Sequence, residues 1–391
     1  MKKQFLLIAL AAFVMAACEN SPAGGGGGGG GGRSNRDIPS DSSAVPNPDI
    51  SEADTIITLP GVQTTVTTEG NDIVIRLDMT GIIDPLTGEY LELIGSGVNQ
   101  NVYVEVDGKK KGIQVTNLSE GSGAIVKADL VFLVDNSGSM DDEADSIANG
   151  MDSWSKLLAK SGLDINFGVV GYDGEITGAL DLAIADSLSA FLNHPDYSWG
   201  TYRTQHFGGP NAQELYALSP NYYNGGSMDE CGMAAFHFAN DNFHFRSGAN
   251  RIYVNFTDEA NYYFGIDSFA TAWLQTNWQP QLGTIHSVFS DGVDAGNYPE
   301  NYTSEGYYDA PWLMADYTGG TKLFTDWNFK DVTLQSLPVT GAMQNSYIIR
   351  FTNVMEFMDG KPHTVHITIM TTDGSVAGEL YFTIVFGGNA A

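Results

Sequence analysis

The sequence predicts an α/β fold: a doubly wound, mostly parallel sheet flanked by helices, inserted in a β-sandwich formed by N- and C-terminal strands. Three observations predict it. Between residues 128 and 342, continuous apolar runs alternate with segments of helical period, as in an open parallel sheet covered on both faces. Residues 53–127 hold short β-rich runs divided by turn signals, with no helical period. Residues 343–391 return to that β pattern with three strands, too few for a sandwich alone, whereas the earlier segment offers open edges to pair with. The alternative is two separate small β modules.

Residues 1–17 read as a secretion signal: Lys2 and Lys3 precede the apolar stretch Phe5 to Val14, which is too short to span a bilayer. Met15-Ala16-Ala17-Cys18 resembles a lipobox, which implies lipidation at Cys18. Glu19 follows, with no retention aspartate, which implies an outer-membrane lipid anchor whose face, periplasmic or cell-surface, stays open. Residues 18–52 read as a flexible Gly-rich tether containing nine consecutive glycines, Gly24 to Gly32. As a random coil it would span roughly 30 Å. The second cysteine, Cys231, would have no intramolecular partner and reads as a small buried hydrophobe.

In the N-terminal β segment, Thr55 to Leu59, Val62 to Thr68 and Asp72 to Leu77 read as strands. Val102 to Val106 and Ile113 to Asn117 flank the hairpin signal Asp107-Gly108. The α/β segment opens with Leu130 to Val134, an apolar run expected of a strand buried on both faces. Ile147, Met151, Trp154, Leu157 and Leu158 then fall at helical spacing. Ile165 to Val170, Arg251 to Phe256, Thr284 to Phe289 and Thr321 to Phe324 read as further strands. Helical patterns lie at Leu182 to Leu192, Met233 to Phe243, and near Phe269 to Trp278 and Ala310 to Tyr317. The C-terminal strands are Tyr347 to Phe351, Val365 to Met370 and Leu380 to Val385.

The net charge of −29 argues against nucleic acid as a partner and is compatible with binding cations. The chemistry lies at the C-terminal end of the first buried strand, where ligand sites of doubly wound sheets are found. There stands Asp135-Asn136-Ser137-Gly138-Ser139-Met140. One carboxylate and two hydroxyls at i, i+2 and i+4 can converge on one hard divalent cation as the chain turns into a helix. Without a ligand, the same residues could serve as a helix N-cap.

Phe132 to Met140 resembles the Asp-x-Ser-x-Ser motif of von Willebrand factor type A domains, and the similarity runs more weakly through most of residues 128–342. The resemblance implies a metal-ion-dependent adhesion site with Asp135, Ser137 and Ser139 as ligands. Asn250 to Glu259 is similar to the family's fourth strand, which makes Asp258 a metal-site residue, direct or through water. Tyr317 to Thr321 resembles the family's late Thr-Gly-Gly. In place of the loop threonine of many members, Gly225 to Gly232 is similar to the integrin β-subunit variant, which implies Glu230 as a ligand and Asp229 as its reserve. Asp142 and Glu143 match acidic positions that bind an adjacent calcium in that branch, a candidate second metal site. Acidic residues also suit a first helical turn without any metal. The interrupted sandwich is likewise similar to the integrin hybrid arrangement.

Other chemistry is weaker. Among seven histidines none forms a zinc signature with cysteines, and His237 and His244, seven apart, read as structural. Nucleophile-elbow and phosphate-loop motifs are missing. Aromatics crowd residues 195–223 (Tyr197, Trp199, Tyr202, Phe207, Tyr216, Tyr222, Tyr223), either as interface anchors or as packing of a long insertion. The expectation is a non-enzymatic lipoprotein that binds a protein or glycan ligand offering an acidic group, through Mg2+ first, with Mn2+ or Ca2+ as alternatives. The competing expectations are a structural scaffold of an envelope complex without metal-gated binding and, third, a metal-dependent hydrolase.

Overall fold

The computed structural model describes residues 38–69, 72–118, 126–160, 163–194, 202–225, 229–290, 308–325 and 338–386. The signal segment, Cys18 and the polyglycine run lie outside them. In chain order the first strands are β1 (Thr55–Ile56), β2 (Val62–Glu69), β3 (Asp72–Met79), β4 (Val102–Val106), β5 (Lys109–Lys110) and β6 (Ile113–Asn117). The α/β region follows with β7 (Lys127–Asp135), α1 (Asp141–Lys160), β8 (Asp164–Tyr172), β9 (Ile176–Ala183), α2 (Ala185–Leu192), β10 (Phe207–Gly208), α3 (Ala212–Leu218) and α4 (Gly232–Asn242). It continues through β11 (Asn250–Thr257), β12 (Asn261–Tyr262), α5 (Ala272–Asn277), β13 (Thr284–Ser290), β14 (Tyr308–Asp309), α6 (Leu313–Thr318), β15 (Lys322–Thr325) and α7 (Pro338–Gln344). The chain closes with β16 (Tyr347–Phe351), β17 (Pro362–Met370) and β18 (Val376–Val385).

The central sheet runs β10-β9-β8-β7-β11-β13-β15. Leaving out the two-residue β10, its strands in order of appearance lie 3-2-1-4-5-6, the doubly wound arrangement. β7, β8, β11, β13 and β15 are parallel, whereas β9 runs antiparallel to its neighbour β8 and the short β10 runs parallel to β9. Successive residues of β7 divide between two cores. Leu130, Phe132 and Val134 pack with Ile147, Met151, Trp154 and Leu158 of α1, Leu188 of α2 and Val339 and Met343 of α7. Val131 and Leu133 pack on the other face with Met233, Phe236 and Phe238 of α4, Leu274 of α5 and Met314 of α6. Both faces are thereby buried, which is why β7 reads as a continuous apolar run.

The flanking segments build one sandwich. Its sheets run β1-β18-β17-β4-β5 and β2-β3-β16-β6, each mixing strands from both ends of the chain. β16 sits between β3 and β6, with Ile349 opposite Leu77 on one side and Val115 on the other. Alternate residues of both sheets, among them Ile75, Leu77, Val104, Ile349, Phe351 and Ile367, form the shared core. Neither segment could bury these faces alone. The sandwich meets the α/β domain at the N-terminal ends of the parallel strands. There the Gly61 amide donates to Thr284 Oγ1 (2.7 Å) and Gln63 Nε2 to the Gln281 carbonyl (3.0 Å).

Three local expectations shift. Residues 38–52, expected to be part of the tether, lie against the sandwich. Lys111 Nζ reaches Asp41 Oδ2 (2.8 Å), and Asn47 bonds Glu105, the His366 carbonyl and Thr368. The second helical stretch begins only at Ala185, because Ile176–Ala183 extends the sheet as β9. Its outer half (Leu182, Ala183) is only partly buried at the sheet edge, so its apolar run did not read as a strand. The helical patterns near Phe269 and Ala310 contract to the short α5 and α6.

Candidate functional site

The parallel register puts Val134 of β7 beside Phe256 of β11, so the next residues, Asp135 and Thr257, leave the sheet side by side. Thr257 Oγ1 donates to Asp135 Oδ2 (2.6 Å), while Oδ1 accepts the Ser137 amide (2.8 Å). The chain then tightens into a 3-10 turn, Gly138–Met140, that leads into α1. This turn brings Ser137 Oγ to 2.9 Å from Ser139 Oγ, and Ser139 Oγ donates to Asp258 Oδ1 (3.0 Å). Asp135, Ser137, Ser139 and Asp258 thus stand in one hydrogen-bonded cluster at the C-terminal edge of the sheet.

The cluster is strongly acidic. Burial raises the Asp135 carboxyl to about 7, with the Asp258 charge adding to it and bonds from Thr257 and Ser137 opposing it. Asp258 rises to about 6, mainly through burial, with Glu259 and Glu143 contributing against the Ser139 bond. Glu230 rises to about 8, again through burial first and then through the charges of Asp135, Glu259 and Asp173. Like charges gathered in a poorly solvated place disfavour one another's ionised forms.

Glu230 enters from the loop before α4, held there by its carbonyl, which accepts the Tyr262 amide (2.7 Å). Among the described residues its carboxylate makes no hydrogen bond to the other four site residues. Asp229 accepts a bond from Asn224 Nδ2 through its carbonyl (2.5 Å). Glu143 is buried in the first turn of α1. Asp142 belongs to the same turn, and its side chain lies outside what is described.

A second tier fixes the turn. Asn136 Nδ2 donates to Thr177 Oγ1 (2.8 Å), and Thr204 Oγ1 donates to Asn136 Oδ1 (2.6 Å). Tyr202 donates its hydroxyl to the Ser137 carbonyl (2.5 Å). Thr257, Thr204, Glu259 and Asp173 are not among the candidate ligands that the sequence offers. Thr257 had a signal, standing beside Asp258, whereas Thr204 reaches the site only through folding. Of the aromatic segment, 195–201 lies outside the described residues. Tyr222 packs on Phe238 (5.1 Å between ring centroids) and Phe207 on Tyr216 (5.4 Å), while Tyr216 and Tyr223 are exposed.

The donor set suits a hard cation: two hydroxyls in contact, a buried carboxylate beside them and two further carboxylates at the margin. Among the described residues no three His, Cys, Asp or Glu side chains form a metal-holding group by themselves, so serine oxygens would be integral to any such site. Cys231 is buried with its thiol toward Asn261 Oδ1 (3.5 Å), and burial pushes it up to about 12.

Fold and site together define an α/β domain that presents carboxylates and hydroxyls at the C-terminal edge of its sheet. No protein-family model matches the chain, and no curated protein matches it. Several solved structures are similar. The conserved hypothetical protein BatB from Bacteroides thetaiotaomicron is 15% identical over 55% of this chain and 98% of its own, with a TM-score of 0.31. The pilus adhesin SpaC from Lactobacillus rhamnosus GG, in an open conformation, is 9% identical over 83% and 47%, with a TM-score of 0.30. The manganese-loaded TRAP protein of Plasmodium vivax is 10% identical over 71% and 98%, with a TM-score of 0.28. At these scores they are likenesses and carry no functional weight. No helix among the described residues is long and apolar enough to cross a membrane.

Proposed function

We propose that this chain is a metal-dependent, adhesion-type binding protein of the bacterial cell envelope, lipid-anchored to the outer membrane through Cys18. Asp135, Ser137 and Ser139 would hold a divalent cation, Mg2+ before Mn2+ or Ca2+, with Asp258 and Glu230 assisting and Asp229 in reserve. Asp142 and Glu143 would serve an adjacent calcium. The bound cation supplies a Lewis-acidic position for an acidic group of a protein or glycan ligand, and no catalytic residue is assigned. The observation that supports this reading is the contiguous cluster Thr257–Asp135 and Ser137–Ser139–Asp258, built from the C-terminal ends of two adjacent strands.

The same hydrogen bonds favour a second reading. They close the cluster on itself, as a structural scaffold without metal-gated binding would need. Calorimetric titration of the chelated protein with Mg2+, Mn2+ and Ca2+, beside Asp135→Ala, separates the two. The metal reading expects saturable binding that disappears in the variant while its thermal transition persists. A folded protein that takes up none of the three ions leaves the scaffold reading standing.

A further inference from the structure

Beside α2, the β9–β10 edge forms a half-open cavity of about 740 Å³. Drug-sized ligands occupy pockets of about 300–1,000 Å³ lined mostly by apolar groups. Leu180, Ala183, Ile184, Phe191 and Pro210 line this one. Ile184 stands at its wall 61% exposed, a large apolar side chain left facing water. Gly208 lets β10 approach closely, since a Cβ there would meet the Phe191 ring at 2.5 Å.

Ser187, His194, His206 and Asn211 also line the cavity, and its charged polar post is the Asp181–His244 pair. Asp181 Oδ1 accepts the amides of Leu182 (2.7 Å) and His244 (2.9 Å). Its Oδ2 accepts Asn211 Nδ2 (2.9 Å) and pairs with His244 Nδ1 (2.5 Å). The aspartate is therefore saturated and holds the imidazole by Nδ1, and Nε2 is the remaining donor of the protonated ring. His244 also lines the cavity, so when its ring is protonated and paired through Nδ1 with Asp181, an Nε2–H donor borders an apolar hollow.

We propose that this cavity binds a small amphiphilic carboxylic acid, with its hydrocarbon body against Leu180, Ile184 and Phe191 and its carboxylate at His244 Nε2. The apolar wall supplies most of the affinity, because the imidazole is 78% exposed and an ion pair there is screened. The head group therefore selects more than it holds.

The test uses decanoate and decanol as probes, titrated calorimetrically into the purified protein in excess EDTA, so that it stands apart from the cation site. Decanoate is expected to bind saturably at one site. Ile184→Asp, which places a charge at the apolar wall, should weaken both probes by about tenfold or more. His244→Gln should weaken decanoate by about threefold and leave decanol unchanged. Both substitutions are at exposed side chains, and melting temperatures equal to the parent's confirm that each variant is folded. Absence of saturable decanoate binding overturns the proposal. So does undiminished binding by Ile184→Asp, or a His244→Gln effect equal for acid and alcohol.

Discussion

Two glycines behind the acidic cluster hold their places because nothing larger fits. A Cβ at Gly178 would lie 2.0 Å from the Thr204 carbonyl oxygen and 2.5 Å from both the His206 amide and carbonyl. At Gly171 it would lie 2.3 Å from Asn136 Nδ2. Asn136 and Thr204 brace the turn after β7 through their side chains. Gly178→Ala is therefore expected to push residues 204–206 outward and cost roughly 2 kcal/mol or more, read from urea unfolding. His363 shows a different residue-scale balance. Burial acts to lower it, but Asp107 and Asp359 pair with its two ring nitrogens and raise it above 6.5 overall. A raised histidine stabilises fully below its unfolded value and loses that contribution as pH rises through its folded value. The melting temperature of the parent relative to His363→Gln should therefore fall across the range in which pH rises from about 6.5 upward. A difference that stays flat across this range would show that the pair contributes nothing.

At the scale of elements, the segment before β1 is a strap where composition suggested a tether. Its anchor is Lys111, only 1% exposed, whose ammonium meets Asp41 Oδ2 at 2.8 Å and the Asn353 carbonyl at 3.0 Å. Asp41→Ala would leave that buried charge without its carboxylate and is expected to cost about 3 kcal/mol. Chemical denaturation checks this, and Asp41→Asn should recover part of the loss by still accepting a hydrogen bond. The strap is illegible in the sequence because a Ser-, Pro- and Asp-rich stretch carries no hydrophobic period, and its partners lie up to 321 residues away. β9 was illegible for the opposite reason. It runs straight into α2, and at an edge its apolar residues match either period. By contrast, β7 and α1 were plain: one buried strand, then Ile147, Met151, Trp154 and Leu158 on a single helical face.

Over the whole molecule, sandwich and site occupy opposite ends of the parallel strands. The nine residues of β7, at about 3.3 Å each, separate the two by roughly 25 Å. Asp135→Ala is thus expected to alter cation uptake while leaving the sandwich core intact, and thermal melts of parent and variant compare the two effects directly. The separation also makes the strap and the acidic cluster independent, so substitutions in each should add within a few tenths of a kcal/mol.

The sequence by itself determined what is local or periodic. The apolar strands, the long first helix and the acid-hydroxyl spacing Asp135, Ser137, Ser139 all lie within contiguous residues, where alternation and turn chemistry act directly. The fold class followed from the same alternation. Tertiary structure alone decided which distant groups meet. The register of β11 beside β7 sets Thr257 and Asp258 against Asp135 and Ser139, and the return of the chain at Thr204 braces Asn136. It also decided that Glu230 lies near enough to Asp135 for the Asp135 charge to help raise the Glu230 carboxyl. Such meetings depend on burial and register summed over the whole sheet, which no short stretch of sequence contains.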